Sequence, residues 1–219
     1  MRETWSLLLS PAAGAAWNMA LDEALLHTAA KRGRPLLRVY AWEKPSVSFG
    51  YFQRFPAPLA NAYEAVRRPT GGGVVYHVDD TTYTVVAPPE HALYAMKTAD
   101  AYCALHKAVA AAFQSRPELH QAPLHSPHGS YECFQRPVHG DVVADGRKLA
   151  GGAQRRTKSG LLHQGSIAAK LSADQIKHGF EEALGVEFEM YELADAERTR
   201  AEKLVREKYA TDAWNRYLR

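Results

Sequence analysis

Cysteine is scarce in this chain. It has two in 219 residues, Cys103 and Cys133. Two cysteines make no disulfide framework and match no zinc-ligand spacing, so no metal centre is expected. No apolar run is long enough to cross a bilayer. There is no internal repeat and no low-complexity tract. Charge of one sign is also in short supply: the net charge is +3, and no basic run carries interleaved aromatics. Neither nucleic acid nor a membrane is expected as a partner, while an acidic protein partner is compatible. The opening MRETWSLLLSPAAGAAWNMA lacks the form of a signal peptide. Its apolar stretch is short and Glu3 weakens the positive start. It reads as a first strand and loop, which points to the cytoplasm. What remains is an ordinary globular composition, 46% apolar and 23% charged, with length enough for one large core.

Glu3 to Ser10 reads as a strand. Asn18 to Leu26 reads as an amphipathic helix with Asn18 as its cap. Leu36 to Trp42 and Ser46 to Tyr51 are strand patterns, and Glu64 to Arg68 is a short one. The segment Val74–Val78 and the alternating Thr81–Pro88 are expected to pair across a turn at Asp79-Asp80. Thr98 to Phe113 has helical apolar spacing. The Pro- and His-rich segment from Arg116 to Ser130 is long for a structureless connection, and such loops are usually functional or mobile. Asp141 to Gly151 reads as a hairpin turning at Asp145-Gly146. Leu161 to Ala169 is a last main strand, and helices follow at Ala173–Leu184 and Asp195–Lys208. The expected class is α+β with a mixed, mostly antiparallel sheet.

Four places could carry chemistry. RRPTGGGVVYH, Arg67 to His77, runs three glycines into a β-branched and aromatic segment. Glycine weakens a strand and buries no side chain. Gly71, Gly72 and Gly73 therefore mark either a bare backbone surface open to a ligand or a bulge, a feature common near active sites. In DGRKLAGGAQRR, Lys148 follows a tight turn and precedes Gly151-Gly152-Ala153. A fixed ammonium there could steady developing negative charge, although a solvated lysine is the commoner fate. His163 and Gly165 lie in LHQGSI, where a histidine in a strand is more often structural than a base. Cys133, in SYECFQRP with His128, Arg136 and His139 nearby, is either a nucleophile or an inert buried thiol. Cys103 sits inside an alanine-rich helix and reads as core.

RRPTGGGVVYH, DGRKLAGGAQRR and LHQGSI, in that order and spacing, resemble the lipoate–protein ligase and octanoyltransferase family, related to the biotin–protein ligases. WNMALDEALL and KYATDAW resemble its flanking blocks. The resemblance covers most of the chain and implies a single catalytic domain over residues 1–219, an α/β arrangement with a mostly antiparallel sheet. It implies an enzyme that places an octanoyl or lipoyl chain on one lysine of a lipoyl-domain acceptor protein. Carried over residue by residue, it puts Arg68, Gly71, Gly72 and Gly73 at the acyl and adenylate site. His77 would stand at its wall, Lys148 at the acyl carbonyl or phosphate, and Gly151, Ala153, His163 and Gly165 would complete the pocket.

The family divides by chemistry. Ligases activate lipoate with ATP and magnesium, and many carry a C-terminal accessory domain, which is not expected here. Transferases take an octanoyl group from acyl carrier protein and need no cofactor. One transferase branch works through a cysteine in a Cys-Phe-x-x-Pro block shortly before the Gly-Arg-Lys turn. Cys133-Phe134-Gln135-Arg136-Pro137 stands in that place before Gly146-Arg147-Lys148. The resemblance therefore favours a Cys133 thioester, with Lys148 steadying the oxyanion. The ATP-dependent ligase is the alternative, and a non-catalytic acyl- or lipoyl-domain-binding protein is a third. Biotin ligation fits less well, because Arg-Pro-Thr-Gly-Gly-Gly stands where that branch has an Arg-Gly-Arg-x-Gly loop.

Overall fold

Leu36 and Leu37 are neighbours in sequence, both fully buried, and belong to different cores. Successive strand residues point to opposite faces, so a strand apolar on both faces must be covered on both. That demand organises the computed structural model, which describes residues 2–121 and 136–217. Cys133 and His128 lie outside the described residues.

In chain order the elements are β1 (Glu3–Leu9), α1 (Ala15–His27), α2 (Ala29–Arg32), β2 (Leu36–Tyr40), β3 (Ser46–Phe49), β4 (Glu64–Arg67), β5 (Val75–His77) and β6 (Thr81–Ala87). There follow α3 (Ala92–Ala95), α4 (Thr98–Ala111), β7 (Glu118–Leu119), β8 (Val142–Ala144), β9 (Arg147–Thr157) and β10 (Gly160–Ile167). The described chain closes with α5 (Ala173–Leu184), β11 (Val186–Met190), α6 (Asp195–Leu204), a π-helical turn (Val205–Tyr209) and α7 (Asp212–Asn215). The larger sheet runs β11-β1-β2-β6-β10-β9-β8-β7. Its β11–β1 and β1–β2 pairings are parallel and the others antiparallel. The expected α+β class with a mixed, mostly antiparallel sheet is what forms.

Leu37, Val85 and Leu161 face one side, under Leu105 and Val109 of α4 and Ile176 and Phe180 of α5. Leu36, Val86 and Leu162 face the other, under Met19, Leu21 and Leu25 of α1 and Ala201 of α6. A second sheet, β4-β3-β5, packs beside this sandwich around Val47, Phe49 and Val74. Local signals end the elements. Ser172 and Gln175 form a capping box on α5, and Gly185 closes it in the left-handed region at φ 67°. The β8–β9 turn has Asp145 at φ 49° and Gly146 at φ 71°, as an Asp-Gly hairpin requires.

Three expectations fail. β5 and β6 do not pair. β5 runs antiparallel to β3, while β6 crosses into the larger sheet between β2 and β10. All seven residues of β6 are buried, so it needs partners on both edges and helices on both faces. Asn18 is not the cap of α1. The helix starts at Ala15 after Gly14, and the Asn18 amide instead donates to the carbonyls of Ala13 and Ala41 at 3.2 and 3.1 Å. The last helix also ends early: α6 stops at Leu204 and the chain widens into the π-helical turn. Among the described residues, no helix is long and apolar enough to cross a membrane, and no group of three or more His, Cys, Asp or Glu could hold a metal ion.

Candidate functional site

The two sheets leave a cleft between them. Its empty space, open solvent included, is about 390 Å³. The smaller sheet supplies Ser48, Val75 and His77, with Arg68 just beyond β4. The larger sheet supplies Gly151, Gly152 and Ala153 of β9, Gln164, Gly165 and Ser166 of β10, Thr82 of β6 and Tyr40 of β2. Met19 of α1 and Trp42 close it. Five residues expected from the sequence thus meet here: Arg68, His77, Gly151, Ala153 and Gly165.

Arg68 builds the glycine loop. Its Nη2 donates to the carbonyls of Gly71 and Gly73, both at 2.8 Å, and its Nη1 donates to Ser48 O at 2.7 Å. Gly72 has φ 89°, which a side chain would strain. The close backbone approach falls on Gly50, where a Cβ would overlap the Gly72 carbonyl. A Cβ on Gly71 would meet nothing within 4 Å, so no packing demand explains that glycine. Thr70 ties the loop across the cleft, donating to Gln164 Oε1 at 2.8 Å. Gln164 in turn donates to Asp22 at 2.7 Å, and Asp22 is paired with fully buried Arg38 at 2.7 Å.

Lys148 is not among the residues that line the cleft but lies against Gly151, which does. Its side chain is 2% exposed and its Nζ is 2.8 Å from Asp141 Oδ2. Asp141 also accepts from Tyr102 Oη at 2.5 Å and from the Val138 amide at 2.7 Å. Lys148 is therefore a fixed cation and not a solvated hairpin residue. Gly151 makes this possible, since a Cβ there would overlap Cε and Nζ of Lys148. The bare Gly151 backbone lines the cleft with that ammonium against it.

His163 behaves differently. It does not line the cleft but faces the α4 side, fully buried, bonded to Tyr83 Oη at 3.0 Å and beside Gln154 at 3.3 Å. Burial drives its pKa well below the usual histidine range, as it does for neighbouring His106, pushed down to about 4. A Cβ on Gly152 would meet this ring at 2.7 Å, and one on Gly165 would overlap Tyr83. These two glycines are needed by the core behind the cleft as much as by the cleft.

Ser48 and Asp80 went unrecognised as site residues. Ser48 Oγ is 2.7 Å from His77 Nε2, and His77 Nδ1 is 2.6 Å from Asp80 Oδ2. Asp80 also accepts from Ser166 at 2.8 Å and Thr82 at 3.1 Å. Trp42 stacks on the imidazole at 3.9 Å, nearly parallel. Burial lowers the His77 pKa, partly offset by Asp80, with Arg68 adding to the lowering. Burial alone would raise that of Asp80, but the bonds from His77, Ser166 and Thr82 outweigh it and the net shift is down. Ser48 and His77 are diagonal neighbours on one face of the β3–β5 pair, a contact that only the strand register reveals.

The chain is similar to known proteins in sequence and in fold. The family model for the lipoyl protein ligase A/B catalytic domain matches residues 14–200. Octanoyltransferase LipM of Bacillus subtilis is 31% identical over 276 residues, covering 98% of each chain. Octanoyltransferase LipM of Oceanobacillus iheyensis is 38% identical over 185 residues, covering 80% of this chain and 68% of its own. Among solved structures, protein Ta0514 of T. acidophilum with bound lipoic acid has the same fold. It superposes with TM-score 0.78 at 23% identity over 99% of this chain and 100% of that one. The family match runs from α1 into α6 and so takes in both walls of the cleft: this chain belongs to the lipoyl protein ligase A/B catalytic-domain family.

Proposed function

We propose that this chain is an octanoyltransferase, moving an octanoyl group from acyl carrier protein to one lysine of a lipoyl domain. The observation that carries the proposal is the near end-to-end similarity to a LipM octanoyltransferase, over 98% of both chains. The cleft suits an apolar acyl chain, with Met19, Trp42, Val75 and Ala153 along it and backbone at Gly151 and Gly152.

In this reading Cys133 Sγ attacks the donor thioester and the carrier thiol leaves. The acceptor amine then attacks the Cys133 thioester, an amide forms and the thiolate departs. Splitting the transfer this way requires neither ATP nor magnesium. The Lys148 ammonium, held by Asp141, faces the developing oxyanion together with backbone amides of the glycine segments. Arg68 keeps the Gly71–Gly73 backbone in shape.

The test is intact mass after mixing with octanoyl carrier protein. An octanoyl adduct present in the native chain and absent in Cys133→Ser supports a thioester. Transfer undiminished in Cys133→Ser removes Cys133 from the mechanism. Pyrophosphate release from ATP that depends on lipoate would instead identify a ligase.

A further inference from the structure

We propose that Ser48, His77 and Asp80 form the proton relay of acyl transfer, taking the proton that the acceptor lysine loses as its nitrogen attacks the thioester. The inference rests on the acyl-transfer reading above and adds a component that reading lacks.

Aminolysis must dispose of a proton. The acceptor lysine attacks as the free amine, its ammonium having lost one proton to solvent beforehand, and after attack its nitrogen carries a proton it must shed before the amide is stable. The cations near the cleft cannot take it. Arg68 is a guanidinium and stays protonated, and its Nη atoms already donate to Ser48, Gly71 and Gly73. Lys148 is ion-paired with Asp141, whose carboxylate holds three donors. Asp22, behind Gln164, is engaged by Arg38, Tyr40, Thr84 and Gln164. Among the described residues lining the cleft, His77 is the one imidazole.

Its partners fix its state. Asp80 Oδ2, at 2.6 Å, accepts from Nδ1, so Nδ1 carries the proton and the Nε2 lone pair points away. That lone pair meets Ser48 Oγ at 2.7 Å, and Ser48 Oγ also accepts from Arg68 Nη1 at 3.0 Å. The connectivity is that of a serine–histidine–aspartate triad, recognised by geometry rather than by chain order. The indole face of Trp42 at 3.9 Å favours a cationic ring once the proton arrives.

The atoms balance. The amine nitrogen bonds to the acyl carbon and the carbonyl electrons move to oxygen. The nitrogen gives a proton to Ser48 Oγ while the Ser48 hydroxyl proton passes to His77 Nε2. The carbonyl re-forms, the C–S bond breaks, and the thiolate departs, while His77 Nε2 returns its proton to solvent. The products are an amide, a thiolate and a released proton, with His77 neutral again.

The test uses the full chain with octanoyl carrier protein and a lipoyl domain, and it measures two quantities by intact mass. One is octanoyl adduct on the enzyme without acceptor; the other is octanoyl appearance on the lipoyl domain. Ser48→Ala, Asp80→Asn and His77→Ala are compared with the native chain. The relay requires that the adduct still form and that its transfer slow by about 10²- to 10⁴-fold, the range of general acid–base catalysis. It also requires that added imidazole restore transfer in His77→Ala, a rescue that a purely structural ring would not allow. Transfer at the native rate in Ser48→Ala and Asp80→Asn overturns the relay and leaves the transferase reading intact. Equal loss of adduct and transfer without imidazole rescue assigns the three residues to folding and overturns it too. A native chain that moves no octanoyl group overturns both readings together.

Discussion

Replacing Gly151 by alanine separates the position of Lys148 from its presence. The backbone at Gly151 carries the Lys148 side chain across it. An alanine Cβ would lie closer than 3.0 Å to Cε and Nζ of Lys148 and 3.2 Å from Asp141 Oδ1. Real Cβ atoms do not tolerate such contacts, so something must shift. The atoms in the way belong to the free end of a four-carbon side chain, and moving them is cheaper than moving backbone. Overpacking of a core costs about 1–3 kcal/mol, and a movable side chain puts this site at the low end. For a domain of this size that is a melting-temperature fall of roughly 2–4 °C per kcal/mol. Activity should fall much further. Losing one preorganised donor to an oxyanion costs about 10²- to 10³-fold in kcat. Gly151→Ala should therefore approach Lys148→Met in octanoyl transfer while melting within a few degrees of the native chain. A Gly151→Ala enzyme with native kcat would refute the placement of the Lys148 ammonium as the oxyanion partner.

Other perturbations follow from the same geometry. Asp22→Ala leaves Arg38 buried without its carboxylate. Breaking such a pair costs about 3–5 kcal/mol, so urea unfolding should show a loss of that size. Gly165→Ala drives a Cβ into the fully buried Tyr83 ring, and a melting curve should register about 1–3 kcal/mol of overpacking. Acid should weaken the fold before its carboxylates titrate. His106 has its folded pKa lowered to about 4 from 6.5, so the native state keeps it neutral where the unfolded chain protonates it. That stability is complete above the unfolded value and is lost as pH falls toward the folded one. By about pH 5 the loss amounts to roughly 2 kcal/mol, visible as a lower urea midpoint than at about pH 7.5. In His106→Asn that part of the pH dependence should vanish.

How much of this was legible in the sequence depends on range. Asp145-Gly146 could be read because a tight hairpin needs those residues, and Ser172 with Gln175 lies within one helical turn. The central strands were legible as apolar runs. The pairing of β5 was not, because Val75–His77 is short and its partner β3 lies before the intervening β4. β11 was missed because Val-Glu-Phe-Glu-Met looks weak until β1 offers its open edge. In the site, Arg68, Gly151 and Ala153 were readable from glycine-rich blocks, and His77 through the family resemblance that the block Arg67 to His77 carries. Ser48 looked like an ordinary strand residue and Asp80 like a turn residue. Their roles come from cross-strand register and from the loop after β5, neither of which has a spacing signature. Asn18 shows the same limit: it has the chemistry of a cap but is used to bind the loop after β2.

The central claim is that the cleft between the two sheets serves acyl transfer without nucleotide. Acylation of a lipoyl domain, followed by intact mass with octanoyl carrier protein in one arm and lipoate plus ATP and magnesium in the other, tests it most directly. The account predicts octanoylated lipoyl domain in the first arm with no ATP present. Lipoylation that appears only in the second arm would contradict it.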